Sequence, residues 1–382
     1  MRERLFRRRL WGSQTLPVLA IAGTRPEIIK LVPVVRALRD ACLTEVRFCH
    51  SGQHPDLGRE LLDIAGISPD EALIRPAGAD LGHLVAGMTS TIGAAIDRQK
   101  PNAVIVQGDT ATTMAATFAA FHRQVPIAHV EAGLRSGSMA APWPEEGYRR
   151  MISQIAHWHF APTDKAGSAL RGENIVGSRV QVVGYTVVDA MFWALNRLGA
   201  DPLLGSAAQP LIEAAQGRPI VLATVHRRET GADAMRRIAA GLSALAHSDN
   251  VHIVLPVHPR AQSGVLADML GHCPRISLTP ALGYFAFLRL LRASRLVISD
   301  SGGIQEEATA MGRPVLVLRE TTERGEAVEI GTARMVGHDD GALITAARWA
   351  LARDLPQPST IFGDGRAAER IARTLLDDLV QH

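Results

Sequence analysis

Short apolar runs alternate with amphipathic stretches of helical length along this 382-residue chain, and the alternation occurs in two successive series. Such an alternation is typical of βαβ units, in which helices cover both faces of a parallel sheet. The first series predicts strands at 17–22, 45–51, 103–107, 126–130 and 180–183. After a break rich in Pro and Gly at 201–218, the second predicts strands at 219–225, 251–256, 276–279, 295–299 and 314–318. The sequence therefore predicts an α/β protein with two doubly wound, Rossmann-like domains.

The chain length agrees with this division, because 382 residues exceed one ordinary core and suit two domains of Rossmann size. We expect residues 1–185 to form the N-terminal domain and residues 186–365 to form the C-terminal domain. The amphipathic segment at 366–382 follows a Gly-Asp-Gly turn and is expected to pack back on the first domain as a helix.

Composition excludes several classes of function. No apolar stretch reaches the roughly 18 to 20 residues that a membrane span requires, and residues 1–15 lack the apolar core of a signal peptide. The net charge is only +3, with 41 basic residues dispersed among 38 acidic ones, which argues against nucleic-acid binding. The three cysteines have no metal-ligand spacing, so they favour structural thiols in a reducing cytoplasm.

The segment SDSGGIQEEA at 299–308 follows the apolar run at 296–298, which indicates a strand that ends on a Gly-rich turn and opens a helix. Backbone N–H groups at such a turn and the positive end of the helix dipole favour a phosphate. Glu306 and Glu307 follow one turn into the helix, where a carboxylate can accept hydrogen bonds from a ribose diol. The pattern predicts a site for a nucleoside diphosphate.

Other predicted strands also end in chemically active side chains. Doubly wound sheets bind ligands at the carboxyl ends of their strands, so residues in these loops are candidates for one site. In the first domain the candidates are Arg25, Lys30, Gln53, Asp109, Glu131, Glu145 and Arg149. In the second domain they are His226, His258 and Arg324, beside the Ser-Gly-Gly turn.

Taken singly, these residues have ordinary structural explanations. Asp109 precedes a Thr, which is a common position for a helix N-cap, and Glu145 follows a Pro, where an acid merely complements the helix dipole. His226 and His258 are compatible with ordinary strand ends. Their joint position at the carboxyl ends of strands in two sheets favours a functional site.

Nine segments of the chain together resemble the non-hydrolysing UDP-N-acetylglucosamine 2-epimerases. In chain order these segments are GTRPEIIK, GDT, HVEAGLR, PWPEE, HRRE, PVHP, DSGGIQEEA, GRPVLVLR and TTER, across roughly residues 17–370. The resemblance implies a glycosyltransferase-B-like fold with the UDP-sugar in an interdomain cleft, a homodimer, and a role in supplying sugars for bacterial surface polysaccharides.

The resemblance also implies roles for individual residues. Ser301, Gly302 and Gly303 would hold the diphosphate, Glu307 the ribose, and Phe287 would lie beside the uracil. Arg25 and His226 would face the phosphates, with His226 also in the catalytic set, and Asp109, Glu131 and Glu145 would be the acid/base carboxylates. The remaining substrate-binding candidates are Lys30, Gln53, Arg149, His258 and Arg324.

The implied reaction is the reversible inversion of C2 in UDP-N-acetylglucosamine, which gives UDP-N-acetylmannosamine. The C2 proton is not next to a carbonyl, so we expect the C1–O bond to UDP to break first and a 2-acetamidoglucal to form. Re-addition of UDP after protonation on the other face completes the inversion. This scheme needs no nicotinamide and no metal, and the sequence has neither GxGxxG nor a cluster with metal-ligand spacing.

Several positions depart from the family pattern and leave alternatives open. Tyr148 replaces an Asn, Ser138 an Asp and Val225 a Gly, which bears on sugar specificity. Pro55 and Asp56 replace residues that in some members of the family help to bind a second, activating UDP-sugar, which bears on that activation. The alternatives are the same chemistry on a modified UDP-sugar, a hydrolysing epimerase, a glycosyltransferase of the same fold, and a non-catalytic UDP-sugar binder.

Overall fold

The computed structural model describes residues 16–41, 44–54, 58–77, 80–225, 231–257 and 263–381. These residues form two compact units. Unit 1 takes the described residues up to Ala190 together with those from Gly363 onward, and unit 2 is Met191–Phe362. The division falls a few residues after the boundary at 185 that the sequence predicts.

Unit 1 is built on seven strands and the helices between them. The strands are β1 Val18–Ala22, β2 Val46–His50, β3 Glu71–Ala72, β4 Ala103–Gln107, β5 Ile127–Val130, β6 Trp158–Ala161 and β7 Val180–Val182. The helices are α1 Arg25–Ala41, α2 Arg59–Ala65, α3 Leu81–Gln99, α4 Ala111–Phe121, α5 Glu145–Ile155, α6 Asp164–Gly172 and α7 Thr186–Ala200. The division between the two units falls within α7. The C-terminal helix Ala367–Gln381 also belongs to unit 1 and is numbered α15.

All strand pairs of this sheet are parallel, in the order β3-β2-β1-β4-β5-β6-β7. Strands β1 and β4 are buried at every residue, as expected for a parallel sheet covered by helices on both faces. The C-terminal helix α15 packs against α1, and Asp189 accepts a hydrogen bond from the backbone N–H of Ala368 at 2.8 Å. Helix α15 is thus part of unit 1.

Unit 2 repeats this architecture with six parallel strands. The strands are β8 Ile220–Thr224, β9 His252–Val257, β10 Ile276–Pro280, β11 Ser294–Ser299, β12 Val315–Val317 and β13 Ala333–Met335. The helices are α8 Gln209–Glu213, α9 Ala232–Ser248, α10 Ser263–Leu270, α11 Tyr284–Ala293, α12 Gly302–Ala310, α13 Gly325–Glu329 and α14 Asp340–Leu351. The strand order is β10-β9-β8-β11-β12-β13.

Each sheet reverses its winding direction at one place, between β1 and β4 in unit 1 and between β8 and β11 in unit 2. Loops diverge from such a point at the carboxyl ends of the strands and leave a crevice there, which is where open α/β sheets bind ligands. In unit 2 the hydroxyls of Thr224 and Ser299 join the two central strands at this point, 2.7 Å apart.

Among the helices of the described ranges, none has the length and apolar character needed to cross a membrane.

Candidate functional site

The loop after β1 is organised by Glu27, a residue that the sequence analysis did not single out. Its carboxylate accepts hydrogen bonds from the backbone N–H groups of Gly23 at 2.9 Å and Thr24 at 2.7 Å, and it has no exposed surface. Burial raises the pKa of Glu27, while hydrogen bonds from Thr110 and from this loop act in the opposite direction. Arg25, the first residue of α1, therefore follows a fixed turn and is half-buried.

The loop after β2 packs closely against that turn. Gln53 accepts hydrogen bonds from the backbone N–H of Thr112 at 3.0 Å and from its hydroxyl at 2.7 Å, which joins the loop to the start of α4. A Cβ at Gly23 would lie 1.8 Å from Oγ of Ser51, so only glycine fits there. The amide oxygen of Gln53 is thus occupied by hydrogen bonds within unit 1.

Glu131 follows β5 and lies beside Lys30, a substrate-binding candidate from α1. The Lys30 ammonium forms a salt bridge with Oε2 of Glu131, and Nε2 of Gln107 donates to the same oxygen at 2.5 Å. Only 7% of the Glu131 side chain and 9% of the Lys30 side chain are exposed. Glu131 also has a φ of 65°, a left-handed conformation that is uncommon for a residue with a Cβ and often marks functional sites.

Asp109 follows β4 but does not cap the next helix. Thr110 is the N-cap of α4, and its side chain accepts from the N–H of Thr113 at 3.2 Å. Asp109 instead accepts from Nε of Arg149 at 2.6 Å, and 23% of its side chain remains exposed. The capping explanation considered above is therefore wrong, and the Asp109 side chain is partly exposed.

His129 forms a hydrogen bond with the turn that carries Asp109. Its Nε2 lies 2.8 Å from the carbonyl oxygen of Gly108, so Nε2 carries the hydrogen that is donated. Burial lowers the pKa of His129 to about 3, which keeps the ring neutral at physiological pH. The turn that carries Asp109 therefore rests on an uncharged donor.

Helix α5 contributes the third carboxylate and the cation of the pair with Asp109. Glu145 begins the helix and is half-buried, whereas Glu146 is fully buried and accepts from the N–H of Ser136 at 2.9 Å and from Arg150 at 3.1 Å. Arg149 donates to Asp109 and lies 3.4 Å from Oε2 of Glu146. Of the two adjacent acids, only Glu145 retains exposed surface.

Tyr148, which departs from the family pattern, lies on the same helix. It packs against the hydrophobic core of unit 1. Burial raises the pKa of its phenol, with a smaller contribution from the negative charge of Glu145. Tyr148 is therefore a neutral neighbour of the carboxylate at the start of α5.

In unit 2, the predicted phosphate site is a strand-to-helix turn with an arginine packed on it. Ser301 is the N-cap of α12, and its side chain makes no capping hydrogen bond. A Cβ at Gly302 would lie 2.6 Å from Cζ of Arg324, so the guanidinium packs directly on the main chain of the turn. A Cβ at Gly303 would meet no atom within 4 Å, so the space beside Gly303 is open.

Arg324 is held in place by two buried carboxylates. Its Nε donates to Glu306 at 2.8 Å, and Nη1 donates to Glu323 at 3.3 Å. Glu323 in turn accepts from Arg319 at 3.0 Å. Glu306 has no exposed surface, so this arrangement fixes a cation at the N-terminal end of α12.

Glu307 points to a different neighbour from that of Glu306. Its Oε1 accepts from the hydroxyl of Tyr284 at 2.8 Å, and 4% of the residue is exposed. Phe287, from the next turn of α11, is half-buried. His226 and His258 lie outside the described residues.

Within unit 1, the structure brings together the loop ends of β1, β2, β4 and β5, with Lys30 and Arg149 as the cations of their carboxylates. Within unit 2 it brings together the turn at 301–303 and Arg324. Sequence reasoning missed Glu27, because an acid in the first turn of a helix is an ordinary feature, although its place beside Arg25 in GTRPE was a usable signal. In the described part of the chain, no group of three or more metal-ligating side chains is arranged to hold a metal ion.

Comparison with known proteins gives consistent results over nearly the whole chain. A family model described as UDP-N-acetylglucosamine 2-epimerase matches residues 36–376. The UDP-N-acetylglucosamine 2-epimerase of Salmonella typhimurium strain LT2 is 38% identical over 372 residues, which cover 94% of this chain and 98% of that protein.

Two solved structures of similar proteins were determined with nucleotide bound. The UDP-GlcNAc 2-epimerase from Neisseria meningitidis, bound to UDP-GlcNAc, has a TM-score of 0.88 at 33% identity and covers 94% of this chain and 100% of that chain. The UDP-GlcNAc 2-epimerase of Methanocaldococcus jannaschii, in complex with UDP-GlcNAc and UDP, has a TM-score of 0.85 at 31% identity and covers 94% and 99%. The fold predicted from sequence, two Rossmann-like domains of the glycosyltransferase-B-like class, is confirmed.

Proposed function

The chain belongs to the UDP-N-acetylglucosamine 2-epimerase family, and from that premise we propose that it interconverts UDP-N-acetylglucosamine and UDP-N-acetylmannosamine by elimination and re-addition of UDP. The observation that carries the proposal is the pair of carboxylates at the ends of β4 and β5. Asp109 is bound to Arg149, and Glu131 is bound to Lys30. Inversion at carbon needs proton transfer on two faces, and two separately held carboxylates provide two such groups.

The order of bond breaking follows from the acidity of the substrate. The C2 proton of the sugar is not acidic, and a general base contributes only about 10²- to 10⁴-fold to a rate. When the C1–O bond breaks, positive charge develops at C1 and the C2 proton becomes removable. A carboxylate takes that proton, the C1–O electron pair leaves with UDP, and the products are 2-acetamidoglucal and UDP.

The reverse steps complete the epimerisation. A second carboxyl group delivers a proton to the opposite face of C2, and a UDP phosphate oxygen attacks C1. Atoms and charge balance, because the proton gained at C2 replaces the one removed and UDP is not consumed. We assign the two proton transfers to Asp109 and Glu131, with Glu145 as the third candidate and His226 in the catalytic set predicted from the sequence.

The nucleotide part of the substrate is assigned to unit 2. Gly302 and Gly303 are the first two residues of α12, where backbone N–H groups and the helix dipole favour a diphosphate. The N–H of Ser301 donates to Oγ of Ser299 at 2.9 Å, so Ser301 is assigned to the diphosphate through its side chain. Arg324, packed on Gly302, adds a positive charge that stabilises UDP as it leaves. Glu307, on the same helix, is assigned to the ribose hydroxyls, and Phe287 to the uracil.

The remaining candidates are proposed as substrate-binding residues. Arg25 and His226 are assigned to the phosphates, and Lys30, Gln53, Arg149 and His258 to the remainder of the UDP-sugar. Lys30 and Arg149 also hold the two proton-transfer carboxylates. We further propose that the protein is a cytoplasmic homodimer, which light scattering after size-exclusion chromatography would test.

The test is proton NMR of the enzyme with UDP-N-acetylglucosamine in deuterated water. The expected result is the manno epimer, deuterium at C2 in both sugars, and no lasting release of UDP. Stoichiometric UDP and free N-acetylmannosamine would instead identify a hydrolysing epimerase. Consumption of the UDP-sugar only when an acceptor is added would identify a glycosyltransferase, and binding without exchange at C2 would identify a non-catalytic binder. Deuterium exchange at C2 with another UDP-sugar, and not with UDP-N-acetylglucosamine, would show that the substrate is a modified UDP-sugar.

A further inference from the structure

Glu27 is a fully buried carboxylate whose two oxygens contact two different loops. Oε2 accepts from the backbone N–H groups of Gly23 and Thr24, at 2.9 and 2.7 Å. Oε1 accepts from the hydroxyl of Thr110 at 2.5 Å and lies 3.1 Å from the hydroxyl of Thr113. Because Glu27 has no exposed surface, it does not touch a substrate in this conformation.

The two loops are those that carry a proposed phosphate ligand and a proposed proton-transfer group. Thr24 directly precedes Arg25, and Thr110 directly follows Asp109. These loops leave β1 and β4, the neighbouring strands between which the sheet changes direction. One carboxylate therefore fixes the loop of Arg25 relative to the turn of Asp109.

The same face of α1 also reaches the next carboxylate. Lys30 lies three residues after Glu27, a spacing that places two side chains on one side of a helix. Lys30 binds Glu131 at the end of β5. Through Glu27 and Lys30, helix α1 thus contacts the Asp109 turn and the Glu131 side chain.

We propose that Glu27 is a positioning residue for the proton-transfer carboxylates, because it fixes the position of the β4 loop relative to the β1 loop. The inference rests on the proposed function, since it concerns the groups assigned to that reaction. A buried carboxylate is costly unless donors surround it, and here two backbone N–H groups and a threonine hydroxyl donate to it. An isolated structural role would not require those donors to come from both site loops.

The decisive variant is Glu27→Gln. A glutamine amide retains one oxygen for the N–H groups of Gly23 and Thr24, but it turns an N–H₂ donor towards the hydroxyls of Thr110 and Thr113. The hydrogen bond from Thr110 in the β4 loop is then lost, whereas the hydrogen bonds from Gly23 and Thr24 in the β1 loop are retained. We expect kcat to fall by about tenfold to a hundredfold, because a shift of about 1 Å in a catalytic group has this effect. KM and the Kd for UDP should remain near their wild-type values.

Three further variants make the result specific. Thr110→Val removes the hydroxyl that donates to Glu27 together with the N-cap of α4, and it should lower kcat per folded enzyme without an effect on KM. Thr110→Ser keeps both contacts and should match the wild type, so the inference stays testable if Glu27→Gln folds poorly. Asp189→Asn is the matched control, because Asp189 is also a buried carboxylate of unit 1 and accepts from a backbone N–H, that of Ala368. Its kcat should equal that of the wild type.

A folded Glu27→Gln enzyme with wild-type kcat would overturn the inference. So would a loss of kcat that matches the loss of folded protein, measured by its thermal transition, or an equal loss in kcat and in UDP affinity. These outcomes are distinct from failure of the proposed function, in which the wild-type enzyme itself would show no deuterium exchange at C2.

Discussion

Nε of Arg149 donates to Oδ2 of Asp109 at 2.6 Å and ties the turn before α4 to the second turn of α5. Arg149 is buried and also contacts the fully buried Glu146, so its guanidinium is fixed. Because Thr110 caps α4, Asp109 is not needed to begin the helix. The carboxylate is thus held by a cation while 23% of the Asp109 side chain stays exposed, an arrangement that suits a group that exchanges protons with a ligand.

Asp109→Asn should lower kcat at least a hundredfold, because a positioned acid or base contributes about 10²- to 10⁴-fold. The amide retains the shape of the side chain and an oxygen for Arg149, so the fold should persist. UDP affinity, measured by calorimetry, should stay near the wild-type value, since the proposed contacts of the diphosphate, ribose and uracil lie mainly in unit 2.

The control for Asp109→Asn is Asp97→Asn, which alters another aspartate–arginine pair of unit 1. Asp97 accepts from Nε and Nη2 of Arg123 at 2.7 Å each, on the protein surface. An exposed ion pair contributes little to stability because solvent screens it, so this variant should be as active as the wild type. Turnover near the wild-type value in Asp109→Asn would remove Asp109 from the mechanism.

Glu307→Ala should weaken UDP binding roughly tenfold or more, because a hydrogen bond to a charged group contributes about 1.5–3 kcal/mol. Tyr284→Phe, which removes only the hydroxyl that donates to Glu307, should have a smaller effect. The sharper measurement compares the Kd of UDP with that of 2′-deoxy-UDP. The wild type should favour UDP and Glu307→Ala should discriminate less; unchanged discrimination would assign the ribose to another residue.

The sheets were predictable wherever the strands are uniformly apolar. The runs at 17–22 and 103–107 were predicted almost to their ends, because strands buried on both faces need continuous apolar residues. The sequence analysis missed β6, which contains a buried His159 whose ring nitrogen lies 2.8 Å from the carbonyl oxygen of Ser153. It also missed β3 and β13, which have only two and three residues. Such strands are defined by neighbouring strands more than by their own pattern.

The candidate site was predictable as a set of strand ends but not as a set of pairs. Asp109 and Arg149 are 40 residues apart, and Lys30 and Glu131 are 101 apart. Which residues become partners depends on the order of the strands and on the positions of the helices on the sheet, and neither can be read from the local sequence pattern. The same holds for Glu27, whose bond to Thr110 joins residues 83 positions apart.

Gly302→Ala should weaken UDP binding and also lower the thermal transition. The added Cβ would lie 2.6 Å from Cζ of Arg324, so the guanidinium must move from its buried carboxylate, Glu306. Gly303→Ala is the matched variant, because its Cβ meets no atom of the protein within 4 Å. It should leave the transition unchanged, and any loss of UDP affinity would then report contact with the ligand. Wild-type UDP affinity in Gly302→Ala would contradict the assigned diphosphate site.

Asp189 lies in the first turn of α7 and accepts from the N–H of Ala368 at the start of α15. Burial raises the pKa of its carboxyl from 3.8 to about 6, and backbone hydrogen bonds from Ala368 and Ala367 oppose the shift. The folded state therefore binds this proton more tightly than the unfolded state does. Ionisation of Asp189 above that pKa lowers the free energy of unfolding by about 3 kcal/mol.

The stabilising effect of the bound proton is complete below about pH 3.8 and is lost as pH rises through about 6. Asp189→Asn keeps an oxygen for Ala368 but cannot ionise, so it should be more stable than the wild type at pH 7–8, with the difference shrinking towards pH 4. Urea unfolding midpoints across this range give the measurement. Asp364→Asn is the control of opposite sign, because the hydrogen bond from Arg370 lowers the pKa of Asp364 to about 2 and its contribution is lost only in stronger acid. A stability difference for Asp189→Asn that does not vary with pH would show that the Asp189 carboxyl does not titrate in this range.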